Sequence, residues 1–219
     1  PDTLTYGDAP FTINASSSAN LSVIFTSSDP LVAEISGNTV VIKGAGSATI
    51  TARQDGDGTY YPASSSKKLT VRKKPASITG VTAADKVYNG TTAATLSGGT
   101  LSGLVTGDAV TLTKGTGVFA NKNAGTGKAI TASGYAISGT DASNYTLTGQ
   151  PSGLTADITR KSLTVTGVTA ADKVYDGTTE ATLSGGTLSG LITGDIVTLT
   201  KGTGAFASKN VGTGKAITA

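Results

Sequence analysis

Apolar and polar residues alternate along most of this chain with the period of a β-strand. Leu21, Val23 and Phe25 stand on one side of LSVIFTSS, and Ala48, Ile50 and Ala52 alternate with Thr49 and Thr51. Val110 and Leu112 do the same with Thr111 and Thr113. Successive side chains of a strand point to opposite faces, so each run predicts a strand with one face buried. LTYGDAPFTI predicts a strand, a Gly-Asp turn and a second strand. VAEI and GNTVVIKGAGSATITAR predict a pair of hairpins, with turns at Gly37-Asn38 and at Gly44 and Gly46. QDGDGTYYPA predicts a loop and KKLTVR a closing strand, while Gly134 predicts a bulge or bend. No stretch long enough for a helix carries capped helical periodicity. Many short strands with frequent turn signals predict a sandwich or barrel.

A long-period repeat overlies this pattern. DKVYNGTTAATLSGGTLSG at Asp85–Gly103 returns as DKVYDGTTEATLSGGTLSG at Asp172–Gly190, so Tyr88 and Tyr175 are equivalent and stand 87 residues apart. Over the 55 paired positions from Ile78 to Ala132 and from Val165 to Ala219 there are eight differences. Five exchange one apolar residue for another, including Val105/Ile192, Ala109/Ile196 and Ala124/Val211, a choice that suits semi-buried sites. The other three, Asn89/Asp176, Ala93/Glu180 and Asn121/Ser208, fall beside turn residues. The repeat divides the chain into modules at 1–74, 75–161 and 162–219. The expected fold is all-β, with three tandem small immunoglobulin-like β-sandwich modules in an extended array. The third module stops at the equivalent of Ala132 and is expected to be incomplete. The chain therefore reads as a window from a longer polypeptide. Junctions at Val71–Pro75 and Thr159–Ser162 are short, which predicts limited bending between modules.

Composition narrows the chemistry. Hydrophobic residues make up 37% and aromatic residues 5%, so cores must be thin and built from Val, Ile, Leu and Ala. There is no Cys, which removes disulfides, thiol nucleophiles and thiolate metal sites. There is no His, which removes the commonest general base and metal ligand. The net charge of +3 forms no basic stripe, so no nucleic-acid partner is expected. No apolar run approaches a membrane span, so no direct membrane insertion is expected.

The remaining candidates are few. Asp55 and Asp57 in QDGDGTYY are spaced as in a calcium loop but lack its further oxygen ligands, and a polar turn explains them. Lys, Tyr and Asp in KVYDG suggest a site. Asn89 in place of Asp176 instead suits a hairpin turn, with Tyr88 and Tyr175 burying their rings and holding the hydroxyl on a polar partner. GTGK at Gly125–Lys128 lacks the spacing of a phosphate loop. Lys86, Asn144 and Asp141 are the residue types an intramolecular isopeptide bond requires. Paired acids in a glycosidase-like context are not recognisable, so no catalytic, cofactor or metal residue is assigned.

Two family resemblances follow from the quoted motifs. TYGDAPF, the run SSDPLVAEISGNTVVIKGAGSATITA and the loop GTYYPA resemble a bacterial immunoglobulin-like repeat of the MBG type. KVYNGTT, KVYDGTT, KNAGTGKAIT, KNVGTGKAIT and DASNYTL resemble the YDG domain, with Asn89 where the name-giving Asp is expected. Repeats of both kinds are typical of long bacterial surface and adhesin-like proteins. The resemblance implies an extracellular, non-catalytic stalk or spacer whose partners are neighbouring repeats of the same polypeptide. The alternative is an adhesive module that binds a surface glycan or a host protein.

Overall fold

The computed structural model describes residues 2–219, and the fold is all-β. Among the described residues the one helical element is a single 3-10 turn, Ala142–Asn144.

The N-terminal module holds β1 (Thr3–Thr5), β2 (Phe11–Thr12), β3 (Ile24–Ser27), β4 (Ala33–Ser36), β5 (Thr39–Ile42), β6 (Gly46–Gln54) and β7 (Ala63–Arg72). One sheet runs β1-β7-β6-β3 and the other β2-β5-β4. Ala33 and Val40 from the smaller sheet and Ala48, Leu69 and Val71 from the larger meet in a common core. The Gly37-Asn38 hairpin forms as expected, with Ser36 opposite Thr39 and Gly37 at φ +61°. The second predicted hairpin does not form. β5 pairs with β2 and β4, whereas β6 pairs with β3 and β7. Gly44 to Gly46 instead carries the chain from one sheet to the other. A side chain at Gly44 would lie within 2.7 Å of the Leu31 carbonyl oxygen, which is why this crossing needs glycine.

The first repeat copy follows after one residue. It contains β8 (Lys74–Ala83), β9 (Lys86–Val87), β10 (Ala93–Ala94), β11 (Leu96–Ser102), β12 (Thr111–Thr113), β13 (Thr116–Phe119), β14 (Gly125–Ser133), β15 (Ala136–Ser138), β16 (Tyr145–Leu147) and β17 (Leu154–Thr159). The second copy contains β18 (Thr164–Ala170), β19 (Glu180–Ala181), β20 (Leu183–Ser189), β21 (Gly204–Phe206) and β22 (Ile217–Thr218). Register repeats with sequence: Ser77 faces Ser102 on β8 and β11, and Thr164 faces Ser189 on β18 and β20. Cross-strand hydroxyl pairs repeat too, Thr82 with Ser97 and Thr169 with Ser184, both at 2.8 Å.

Asn89-Gly90 does not close a hairpin. β9 pairs in parallel with β17, and β10 pairs with β13, so the segment between them changes partners. Asn89 acts on its own turn, accepting the Thr91 N–H at 3.1 Å and the Thr91 hydroxyl at 2.9 Å. This is the local side chain to backbone bonding that favours Asn and Asp in turns.

By contact density the described chain forms two compact units. One takes the residues up to Ala84 together with Ala93–Val118 and Ala129–Thr155. The other takes Asp85–Thr92, Phe119–Lys128 and Ala156–Ala219. Each unit therefore contains segments from two successive modules. The core of the first unit crosses the module boundary. It joins Tyr6, Val40 and Leu69 to Ala76 and Tyr145, with Leu104, Val105 and Leu147 packed against it.

Candidate functional site: two Tyr–Asp joints

In the first unit the turn after β1 is tied by Asp8, which accepts the Thr5 N–H at 2.8 Å. That turn presents Tyr6 and Gly7. The Tyr6 hydroxyl donates to Asp108 Oδ2 at 2.9 Å, across 102 residues. Tyr145, at the start of β16, donates to the same oxygen at 2.5 Å and accepts the Val105 N–H at 2.8 Å. The two tyrosine rings meet edge to face, with centroids 5.5 Å apart and planes at 82°. Aromatic pairs favour this geometry because the positive ring edge meets the negative face.

The DASNY loop surrounds that contact. Asp141 Oδ2 accepts the Ala109 N–H at 2.8 Å and so fixes the loop bearing Asp108. Asn144 Oδ1 accepts the Ala45 N–H of the N-terminal module at 2.9 Å. Burial, and then the hydrogen bond to Asp108, push the Tyr6 phenol up to about 12. Burial acts first on Tyr145 as well and raises it.

The second unit builds a counterpart from repeat-equivalent residues. Asp195 is the repeat partner of Asp108, and it accepts the Tyr88 hydroxyl at 2.8 Å across 107 residues. Lys122 also reaches Asp195, at 3.4 Å. Its ammonium is held above its ordinary value, by the Tyr88 hydroxyl first and Asp195 after it.

A glycine serves both joints in the same way. A Cβ on Gly7 would lie 2.8 Å from Val105 Cγ2, and one on Gly90 would lie 2.8 Å from Ile192 Cγ2. Val105 and Ile192 are repeat partners. Both glycines also have positive φ, +86° and +77°. Both joints thus share one design: a tyrosine hydroxyl on an aspartate, beside a glycine that lets an aliphatic side chain close in.

The YDG domain family matches residues 72–153 and again residues 159–219. The chain belongs to the YDG domain family. No curated protein and no solved structure matches it.

In the first YDG copy the three motif positions do different jobs. Tyr88 reaches the joint. Gly90 gives clearance to Ile192. Asn89 stays local, accepting from Lys86 Nζ at 3.1 Å. In the second YDG copy Asp176 likewise accepts from Lys173 Nζ at 2.8 Å and from the Thr178 N–H and hydroxyl, both at 2.9 Å. The Lys173 contact, then Thr178, lower the Asp176 carboxyl to about 2. Lys86 lies 5.2 Å from the centre of the Phe119 ring and Lys173 5.8 Å from that of Phe206. Tyr175 departs from the expected burial, being 58% exposed as a residue.

The other sequence candidates fall elsewhere. Lys86 donates to Asn89 and Thr91 in the second unit, while Asn144 accepts from Ala45 and Asp141 from Ala109 in the first. Asp55 pairs with Arg53 at 2.5 Å. Asp57 Oδ1 accepts the Thr59 and Tyr60 N–H groups at 2.7 and 2.8 Å. No group of three or more acidic side chains stands together among the described residues. Lys128 of GTGK donates to Asn121 Oδ1 at 2.7 Å.

The motifs and alternation of the sequence assign no role to Asp108 or Asp195. The available signal was their constancy: both copies keep Thr-Gly-Asp while the flanking Val105/Ile192 and Ala109/Ile196 change. The expectation that such apolar exchanges are semi-buried holds in both copies for Val105/Ile192 and fails elsewhere, with Ile196 97% exposed and Val118, Val165 and Val211 exposed as well.

Proposed function

We propose that this chain is a non-catalytic spacer segment of a large bacterial cell-surface or secreted adhesin, in which an MBG-like module precedes two YDG domains. The observation that supports the reading is the duplicated joint, Tyr6 on Asp108 and Tyr88 on Asp195. These hydroxyl–carboxylate bonds hold successive modules together, and among the described residues no three acidic side chains gather as a metal site would require. In this reading the partners are neighbouring repeats and the setting is extracellular.

The alternative, an adhesive module for a glycan or host protein, rests on one observation. Tyr61 is 92% exposed beside the exposed Tyr60, and an aromatic face in a loop suits stacking on a sugar ring. A glycan array and a pull-down from host extracellular matrix, each with the purified chain, decide between the two. The spacer reading expects no saturable signal. A saturable signal abolished by Tyr61→Ala would overturn it in favour of the adhesive module.

A further inference from the structure

The two joints leave a third half-joint in the chain. Tyr175 and Gly177 are the repeat partners of Tyr88 and Gly90. Gly177 has φ +80°, close to the +86° of Gly7 and the +77° of Gly90. Yet a Cβ on Gly177 would meet nothing within 4 Å, where one on Gly7 or Gly90 would collide with Val105 or Ile192. Tyr175 is more than half exposed, whereas Tyr6 and Tyr88 place their hydroxyls on Asp108 and Asp195. Asp176 Oδ1 accepts from Lys173 and Thr178 within its own turn, so the turn holds its shape with the tyrosine more than half exposed.

We infer that the Tyr175–Gly177 turn is a docking surface for the (Val/Ile)-Thr-Gly-Asp loop of a further YDG repeat. Tyr175 would donate to that loop's aspartate and the open space over Gly177 would receive its aliphatic residue. The occupant is specified by the two joints already present. Each takes an aspartate preceded by Thr-Gly, with Val105 or Ile192 three residues before it. The chain's own aspartates of this kind, Asp108 and Asp195, already accept tyrosine hydroxyls. A tyrosine hydroxyl on a carboxylate is a charge-assisted bond, stronger than one between neutral groups. The YDG motif then reads as a coupling element: the first residue joins forward, the second stiffens the turn, and the third clears the approach. This deepens the spacer reading and rests on it.

The test extends the full chain. A second pass of residues 133–219 is appended after Ala219, which places Tyr175 as far ahead of a new Thr-Gly-Asp aspartate as Tyr88 stands ahead of Asp195. A control carries residues 133–160 alone. Tyrosine nitration by tetranitromethane, read by peptide mass spectrometry, is followed at Tyr175. Tyr88 is the internal standard for a joined tyrosine and reports that the rest of the protein is folded. Tyr175 is expected to react readily in the present chain and in the control. In the full extension it should slow to the rate of Tyr88, and Asp→Asn at the new aspartate should restore its reactivity. Protection already present in the control, protection that survives the Asp→Asn change, or an unchanged rate in the full extension would each overturn the proposal. The nitration readout concerns the joint alone, so a glycan signal in the earlier experiment would overturn only the spacer reading.

Discussion

The hydroxyl of Tyr88 donates to Asp195 at 2.8 Å, as that of Tyr6 donates to Asp108 at 2.9 Å. The acceptors are repeat partners, whereas the donors come from modules of different sequence. The acceptor loop is therefore common to both joints, and the tyrosine-glycine turn is met from two backgrounds, TYGD and VYNG.

Tyrosine substitutions should rank by what each leaves unsatisfied. Tyr145→Phe strips Asp108 of one donor and leaves the half-buried Val105 N–H without its acceptor, which costs about 1–3 kcal/mol. Tyr6→Phe removes one donor while Tyr145 still serves Asp108, at a cost of about 1 kcal/mol. Urea midpoints should fall in that order. The reverse order would mean that Tyr145 is held by its ring contacts alone.

Glycine substitutions separate backbone strain from the joint itself. Gly7, Gly90 and Gly177 all occupy positive φ, so alanine costs about 1–2 kcal/mol at each. Only Gly7→Ala and Gly90→Ala add a collision, with Val105 and Ile192. Thermal melting should show Gly177→Ala as the mildest of the three. Equal losses would mean that the glycines serve φ alone.

Alkaline titration should loosen the first joint. The folded Tyr6 phenol lies near 12, above an unfolded value of about 10. The native state therefore binds this proton more tightly, and its contribution to stability is complete below pH 10. It is lost as pH rises from about 10 through about 12. Urea melts in that window should drop more steeply for the native protein than for Tyr6→Phe. Parallel pH profiles would sink this assignment.

Acid should act on the second YDG copy and spare the first at this position. Asp176 is lowered to about 2 by Lys173 and Thr178, so its contribution is present above the unfolded value of about 3.9. It is lost as pH falls through about 2. Asn89 has no proton to gain. A carboxyl-carbon NMR titration of Asp176 is expected to show a midpoint well below that of ordinary aspartates. An unshifted midpoint would show that Lys173 is not its partner in solution.

Local chemistry made much of the fold legible. Alternation placed β6, KKLTVR placed the end of β7, Gly37-Asn38 placed a hairpin, and the near-identical repeat is matched by the shared register of β8–β11 and β18–β20. The candidate site was legible only in part. Tyr88 was expected to hold its hydroxyl on a polar partner, but nothing near it in sequence supplies one. Asn89-Gly90 carried a strong hairpin signal, yet the strands flanking it pair with β17 and β13.

The amino-acid order by itself determined the β character, the turns and the duplication, because φ preferences and the two-residue alternation of side chains act over a few neighbouring residues. Only the tertiary structure decided which aspartate each tyrosine meets, which strands share a sheet at Gly44–Gly46, and why Tyr175 differs from Tyr88. The two joints bring together groups about a hundred residues apart, and every one of these encounters is set by how whole sheets pack, which no local pattern encodes.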